Sequence, residues 1–183
     1  MQTYCPWDTK TKSCTTDGTV PSLFLPTDGL AEIPELAEEW EEMSSEGRAA
    51  MNVACQDFGM FFSSCAVYCH LGAMPMNATQ AVDLVNHVTG FDYTIREVME
   101  LGRRIWYLKR GLSNLFGARA EDDKLPKRMM TPFDSGPTEG SAPDMETMLT
   151  EFYELRGFRE DGLPKKEILK DLDLADLAEL LYR

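Results

Sequence analysis

Two cysteines and a histidine sit together in SSCAVYCH, Ser63–His70, inside the most apolar stretch of a 183-residue chain. Thiolates and imidazoles are common zinc ligands and common activated nucleophiles, so Cys65, Cys69 and His70 are the first residues to weigh. A zinc site would need a second ligand pair, and no such pair stands elsewhere in the sequence. A redox pair would need Cys-x-x-Cys, which is also missing. A nucleophilic cysteine would need a base. The chain has two histidines, His70 and His87, and His70 directly follows Cys69, so on a helix the two would diverge by about 100°. On a continuous helix Cys65 and Cys69 share a face one turn apart, and both then serve as small core hydrophobes.

The remaining polar sets are weaker. Glu121, Asp122 and Asp123 form an acidic run that could bind a cation, but Lys124, Lys127 and Arg128 follow closely and predict a solvated, self-paired loop. The eleven methionines, Met74, Met76, Met129 and Met130 among them, read as adaptable core filler. There is no phosphate-cradling glycine loop, no Ser-His-Asp order and no dinucleotide fingerprint.

Eighteen Lys and Arg stand against 31 Asp and Glu, a net charge of -13. Such a charge repels phosphate backbones and anionic headgroups, so neither nucleic acid nor membrane is an expected partner. Arg96, Arg103, Arg104, Lys109 and Arg110 scatter around one helix and are expected to be solvated. The N-terminus has no basic and apolar leader pattern, and the longest apolar run is shorter than a bilayer span. Five cysteines without a disulfide spacing pattern point to a reducing, cytoplasmic setting.

These residues must be carried by helices, because almost nothing alternates with the period of a strand. Pro6, Gly18, Pro21, Pro26 and Gly29 make residues 1–30 an irregular arm, and residues 31–183 a helical domain. Pro34 opens a helix to about Met43, and Ser45–His70 reads as one buried helix. Asn77 with Gln80, and Thr94 with Glu97, are capping boxes for helices ending at Gly90 and about Leu115. Residues 117–143 form a long loop rich in proline, glycine and charge. Asp144 to Gly157, Pro164 to Asp171 and Ala175 to Tyr182 complete a mainly α, irregular domain of about six helices.

The runs NHVTGFDYTIREVMELGRRIWYLKR, EDDKLPKR, MLTEFYELRGF and DGLPKKEIL, in this order and spacing, resemble the C-terminal helical region of the aldehyde:ferredoxin oxidoreductase family from about Trp40 onward. These are tungsten or molybdenum bis-pyranopterin enzymes that oxidise aldehydes to carboxylic acids and pass electrons through a 4Fe–4S cluster to ferredoxin. Upstream of the Val-Thr-Gly turn the family carries Asp-x-x-Gly-Leu-Cys, which falls on Ser64 to Cys69. The resemblance implies that Cys69 is a cluster ligand and that Ser64 and Tyr68 line the pterin side. Ser64 stands where the family has Asp, and Val67 where it has Gly. The family's pterin-binding domain and its Cys-x-x-Cys-x-x-x-Cys motif have no counterpart here, and one thiolate cannot hold a cluster. The expected partner is therefore a chain or domain supplying both, with the isolated chain inactive. The other expectation is a degenerate, non-catalytic helical module that binds another protein.

Overall fold

The computed structural model describes residues 7–8, 13–14, 44–67, 78–136 and 139–183. Among them are six α-helices: α1 Arg48–Met60, α2 Ala78–Thr89, α3 Ile95–Leu115, α4 Met145–Arg156, α5 Lys166–Asp171 and α6 Ala175–Leu181. The mainly helical expectation holds. Trp7–Asp8 and Ser13–Cys14 add a two-residue antiparallel pairing, Trp7 opposite Cys14. The expected helix from Pro34 to Met43, the Asn77 cap and most of the 1–30 arm lie outside the described residues.

The chain divides into two compact units, one built on Met51–Trp106 and the other on Tyr107–Arg183 with the residues leading into α1 up to Ala50. In the first, α1 supplies Ala54 and Phe58 to the core and the turn after it supplies Phe61, α2 supplies Ala78 with Ala81 and Val82 three and four residues on, and α3 supplies Ile95 and Val98. The spacing of these residues at three and four is what a helical face requires. Gly102 of α3 lies directly against the α1 backbone, so that a Cβ there would fall 1.7 Å from the Asp57 carbonyl oxygen. Only glycine permits that approach.

The run expected as one helix to His70 ends earlier. After Met60 the helix widens into a π-turn over Phe61–Cys65, closed by the Ala66 N–H donating to the Phe61 carbonyl at 3.0 Å. Val67 then takes a left-handed φ of 51°. A π-turn adds a residue per turn and so rotates the residues beyond it out of register with the α-helical face. Phe58, Phe61 and Phe62 stay buried, whereas Cys65 is exposed. The expectation that Cys65 is a core residue is thus corrected.

In the second unit α4 opens on Asp144, whose carboxylate accepts the Glu146 and Thr147 N–H groups at 3.1 Å, and closes on Gly157 at φ 58°. The entry to α1 is tied to α4, since Glu151 accepts the Gly47 N–H through both oxygens at 3.0 and 3.1 Å. Tyr107, Phe158, Leu163, Leu169 and Leu177 form the core with the Arg156 side chain, which is 1% exposed. Arg156 stacks 5.7 Å from the Tyr107 and Phe152 rings, and its carbonyl accepts the Tyr107 hydroxyl. The loop of 117–143 is present as expected. It holds short turns at Ala120–Asp122 and Lys127–Met130 and a bridge from Phe133 to Glu139.

Two glycines on α3 separate rigid from yielding contacts. Gly102→Ala drives a methyl into backbone and should cost about 3 kcal/mol, the upper range for overpacking. Gly111→Ala meets the Leu177 side chain, its nearest methyl at 2.5 Å, which can turn aside, and alanine gains about 1 kcal/mol of helix propensity. Thermal denaturation of the two variants should show a large loss for the first and little change for the second.

Candidate functional site

The π-turn that carries Ser64 is held by aromatic packing. Phe61 and Phe62 meet edge to face at 5.3 Å, Phe58 lies 4.8 Å from Phe62, and Tyr93 closes on Phe61 at 6.4 Å. Tyr93 is fixed by the turn after α2, where its N–H donates to Asn86 Oδ1 and its carbonyl accepts from Asn86 Nδ2, both at 2.9 Å. The next residue, Thr94, completes the capping box: Glu97 N–H donates to Thr94 Oγ1 at 3.2 Å and Thr94 N–H to Glu97 Oε2 at 2.8 Å. The Val-Thr-Gly-Phe-Asp-Tyr-Thr run is therefore a clamp that starts α3 and braces the π-turn.

Ser64 lies within that π-turn, half-buried. Tyr68 and Cys69 lie outside the described residues. Just before them, Val67 is 82% exposed with positive φ, a conformation disfavoured for a β-branched side chain. Glycine adopts it freely. Cys55, by contrast, is closed off: burial pushes its thiol up to about 12, so it stays protonated and inert.

A second arrangement was not expected from the sequence. The Arg110 guanidinium grips the Asp123 carboxylate through two hydrogen bonds of 2.7 and 2.6 Å, and the Tyr153 hydroxyl donates to the same carboxylate at 2.7 Å. Arg110 also donates to the Gly162 carbonyl at 3.0 Å and stacks 5.1 Å from the Phe158 ring. Asp123 was expected to pair within a solvated loop and Arg110 to be solvated. Instead both are largely withdrawn from solvent and join α3, the loop, α4 and the turn at Gly162. Thirteen residues separate the partners, a distance no helical period relates.

The family model "Aldehyde ferredoxin oxidoreductase, domains 2 & 3" matches residues 12–174. The chain belongs to the aldehyde ferredoxin oxidoreductase family. A tungsten-containing aldehyde ferredoxin oxidoreductase of Pyrococcus furiosus is 34% identical over 135 residues, 72% of this chain and 22% of the relative. The Pyrococcus abyssi protein of the same name is 30% identical over 138 residues, with the same coverage. An aliphatic sulfonate oxidoreductase, WOR-like subunit, of P. furiosus is 32% identical over 124 residues, 63% of this chain and 20% of the relative. The chain thus spans about a fifth of the length of the relatives it matches. Within this family region EDDKLPKR is a structural motif here, since Asp123 anchors the head of the loop while Lys127, Arg128, Met129 and Met130 remain exposed.

The ion pair makes stability depend on pH at both ends. Burial by itself would raise the Asp123 carboxyl, but hydrogen bonds from Arg110 and Tyr153 and the Arg110 charge outweigh it and hold it below its ordinary 3.8. Its contribution is present above that value and lost as pH falls through the folded one. Burial and then the hydrogen bond to Asp123 push Tyr153 up to about 12 from 10.0. That contribution is present below pH 10 and lost as pH rises through about 12. Asp123→Asn should cost about 3 kcal/mol at pH 7 by leaving the guanidinium poorly compensated, and should flatten the acid limb of a melting-temperature profile below about pH 4. Tyr153→Phe should flatten the alkaline limb and, by removing one of the hydrogen bonds that hold Asp123 down, partly flatten the acid limb as well.

Proposed function

We propose that this chain is the C-terminal part of a tungsten or molybdenum pterin oxidoreductase that converts an aldehyde to a carboxylic acid. A separate chain or domain would carry the pterin-binding part and three cluster cysteines. What carries the reading is the match to family domains 2 & 3 over residues 12–174, with the four motif runs in family order. In this assembly Cys69 supplies the fourth thiolate of a 4Fe–4S cluster, and Ser64 and Tyr68 face the pterin.

The donor set of the chain suits a single contribution. Cys55 is inert, and among the described residues no three His, Cys, Asp or Glu side chains gather where they could hold a metal ion. When bound, the pterin metal would supply two-electron oxidation chemistry and the cluster a path for the electrons to ferredoxin. Ser64 offers one hydroxyl for a pterin N–H where a carboxylate would offer two acceptor oxygens. Val67 holds a left-handed turn of the kind glycine adopts, but its branched side chain obstructs the close approach to main-chain atoms that glycine would allow.

The serine and valine at these two positions also support a second reading, a non-catalytic helical module that binds another protein. The two separate in one experiment. Co-expression with a chain bearing the pterin domain and the Cys-x-x-Cys-x-x-x-Cys motif, followed by iron and tungsten analysis, should give a metal-loaded complex whose cluster iron is lost in Cys69→Ser. Equal iron in both would remove Cys69 from the ligand set, and a complex without iron or tungsten would leave the interaction module. Because one relative is named for aliphatic sulfonates, activity is measured on alkyl sulfonates beside aldehydes, with oxidation of aldehydes expected.

A further inference from the structure

We propose that Val67 loosens this chain's hold on the pterin: its branched side chain projects from the turn where a glycine would leave the main chain open, so that retention of the cofactor falls mainly to the partner. This rests on the proposed function, in which the turn bearing Ser64 faces the pterin. The observation is conformational. Every other described residue with a left-handed φ is a glycine or Asp173, a type that tolerates the region, whereas Val67 adopts φ 51° with a branch at Cβ.

The packing of the side chain does not explain that conformation. At 82% exposure the isopropyl group lacks the buried contacts that would offset a disfavoured backbone. The turn is set from upstream instead: the Ala66 N–H closes the π-turn on the Phe61 carbonyl, and Phe61 and Phe62 are anchored by Phe58 and Tyr93. The neighbours therefore shape a backbone suited to glycine, and the valine methyls are carried on it. A flat heterocycle that hydrogen-bonds to main-chain groups must come within about 3 Å of them. A β-branched side chain beside those groups holds it further off. Ser64, three residues earlier, adds to the loss, because a hydroxyl lacks the charge and the second acceptor oxygen of a carboxylate. Both residues weaken contact with the cofactor while the turn itself stays in place.

The test uses the co-expressed complex of the full chain with a chain bearing the pterin domain and the Cys-x-x-Cys-x-x-x-Cys motif. Pterin is read by fluorescence of its oxidised form and tungsten by elemental analysis, both followed over time after dilution into cofactor-free buffer, so that activity does not enter the readout. Val67→Gly should slow the loss of pterin at least about tenfold relative to wild type, within the range that relief of an overpacked contact gives. Val67→Ala, which keeps Cβ without the branch, should fall between the two. Val67→Thr, which keeps the branch and changes the polarity, should match wild type. The full chain alone carrying Val67→Gly should melt no earlier than wild type, because glycine suits a left-handed turn; an earlier melt would mean that the valine side chain holds the turn, and would overturn the proposal. A Val67→Gly complex that is loaded while wild type is empty supports it in its extreme form. Loss at the wild-type rate from Val67→Gly and Val67→Ala, with wild type loaded, overturns the proposal and leaves the proposed function standing. Retention by Val67→Thr equal to that by Val67→Gly assigns the effect to polarity and also overturns it. No pterin or tungsten in any form overturns the proposal and the proposed function together.

Discussion

The Arg110 guanidinium is the contact on which the second unit depends. One side chain carries a two-point ion pair to Asp123, a bond to the Gly162 carbonyl and a stacked contact with Phe158. Each partner comes from a different segment, so the position of the loop head, the α4 face bearing Tyr153 and the turn before α5 are set together. A planar, permanently charged fork suits this role, since its donors are fixed in geometry and reach several acceptors at once. Withdrawal from solvent raises the cost of any missing partner, and that cost is what makes the arrangement specific.

The first unit is organised by a different constraint, the approach of α3 to α1 at Gly102. Backbone contact there leaves no slack, and the same unit holds the aromatic cluster of Phe58, Phe61, Phe62 and Tyr93. The Asn86 side chain fixes Tyr93 through paired hydrogen bonds, so the turn after α2 is rigid. The π-turn is the local consequence: Phe61 and Phe62 both stay in the core, and the extra residue in the turn is absorbed by presenting Cys65 to solvent.

These two constraints give the family region a division of labour. The motif runs are mostly scaffold: the Val-Thr-Gly turn and its capping box brace the segment bearing Ser64, and the Asp-Asp-x-Leu-Pro run pins the loop. Chemistry, in the proposed function, would enter through few atoms of this chain, the Cys69 thiolate and the Ser64 hydroxyl. A framework this rigid suits a piece that must present one ligand in register with a partner's three.

Local chemistry determined much on its own. Thr94 with Glu97, Asp144 with its open N–H groups and Gly157 set helix ends from interactions within a few residues, so α3 and α4 were legible without a fold. The ordered motif runs likewise carried the family. The burial of Phe58, Phe61 and Phe62 followed from spacing alone. The π-turn did not, because the α-helical period assumed to continue to Cys69 is broken by packing against Tyr93 and its turn, which lie some thirty residues on in sequence. Nor did the partner of Asp123. The nearby lysines and arginine offered a local pairing, and only the convergence of α3, α4 and the Gly162 turn made Arg110 the less solvated and better oriented choice. Pairings across segments depend on which surfaces meet, and that is a property of the tertiary fold.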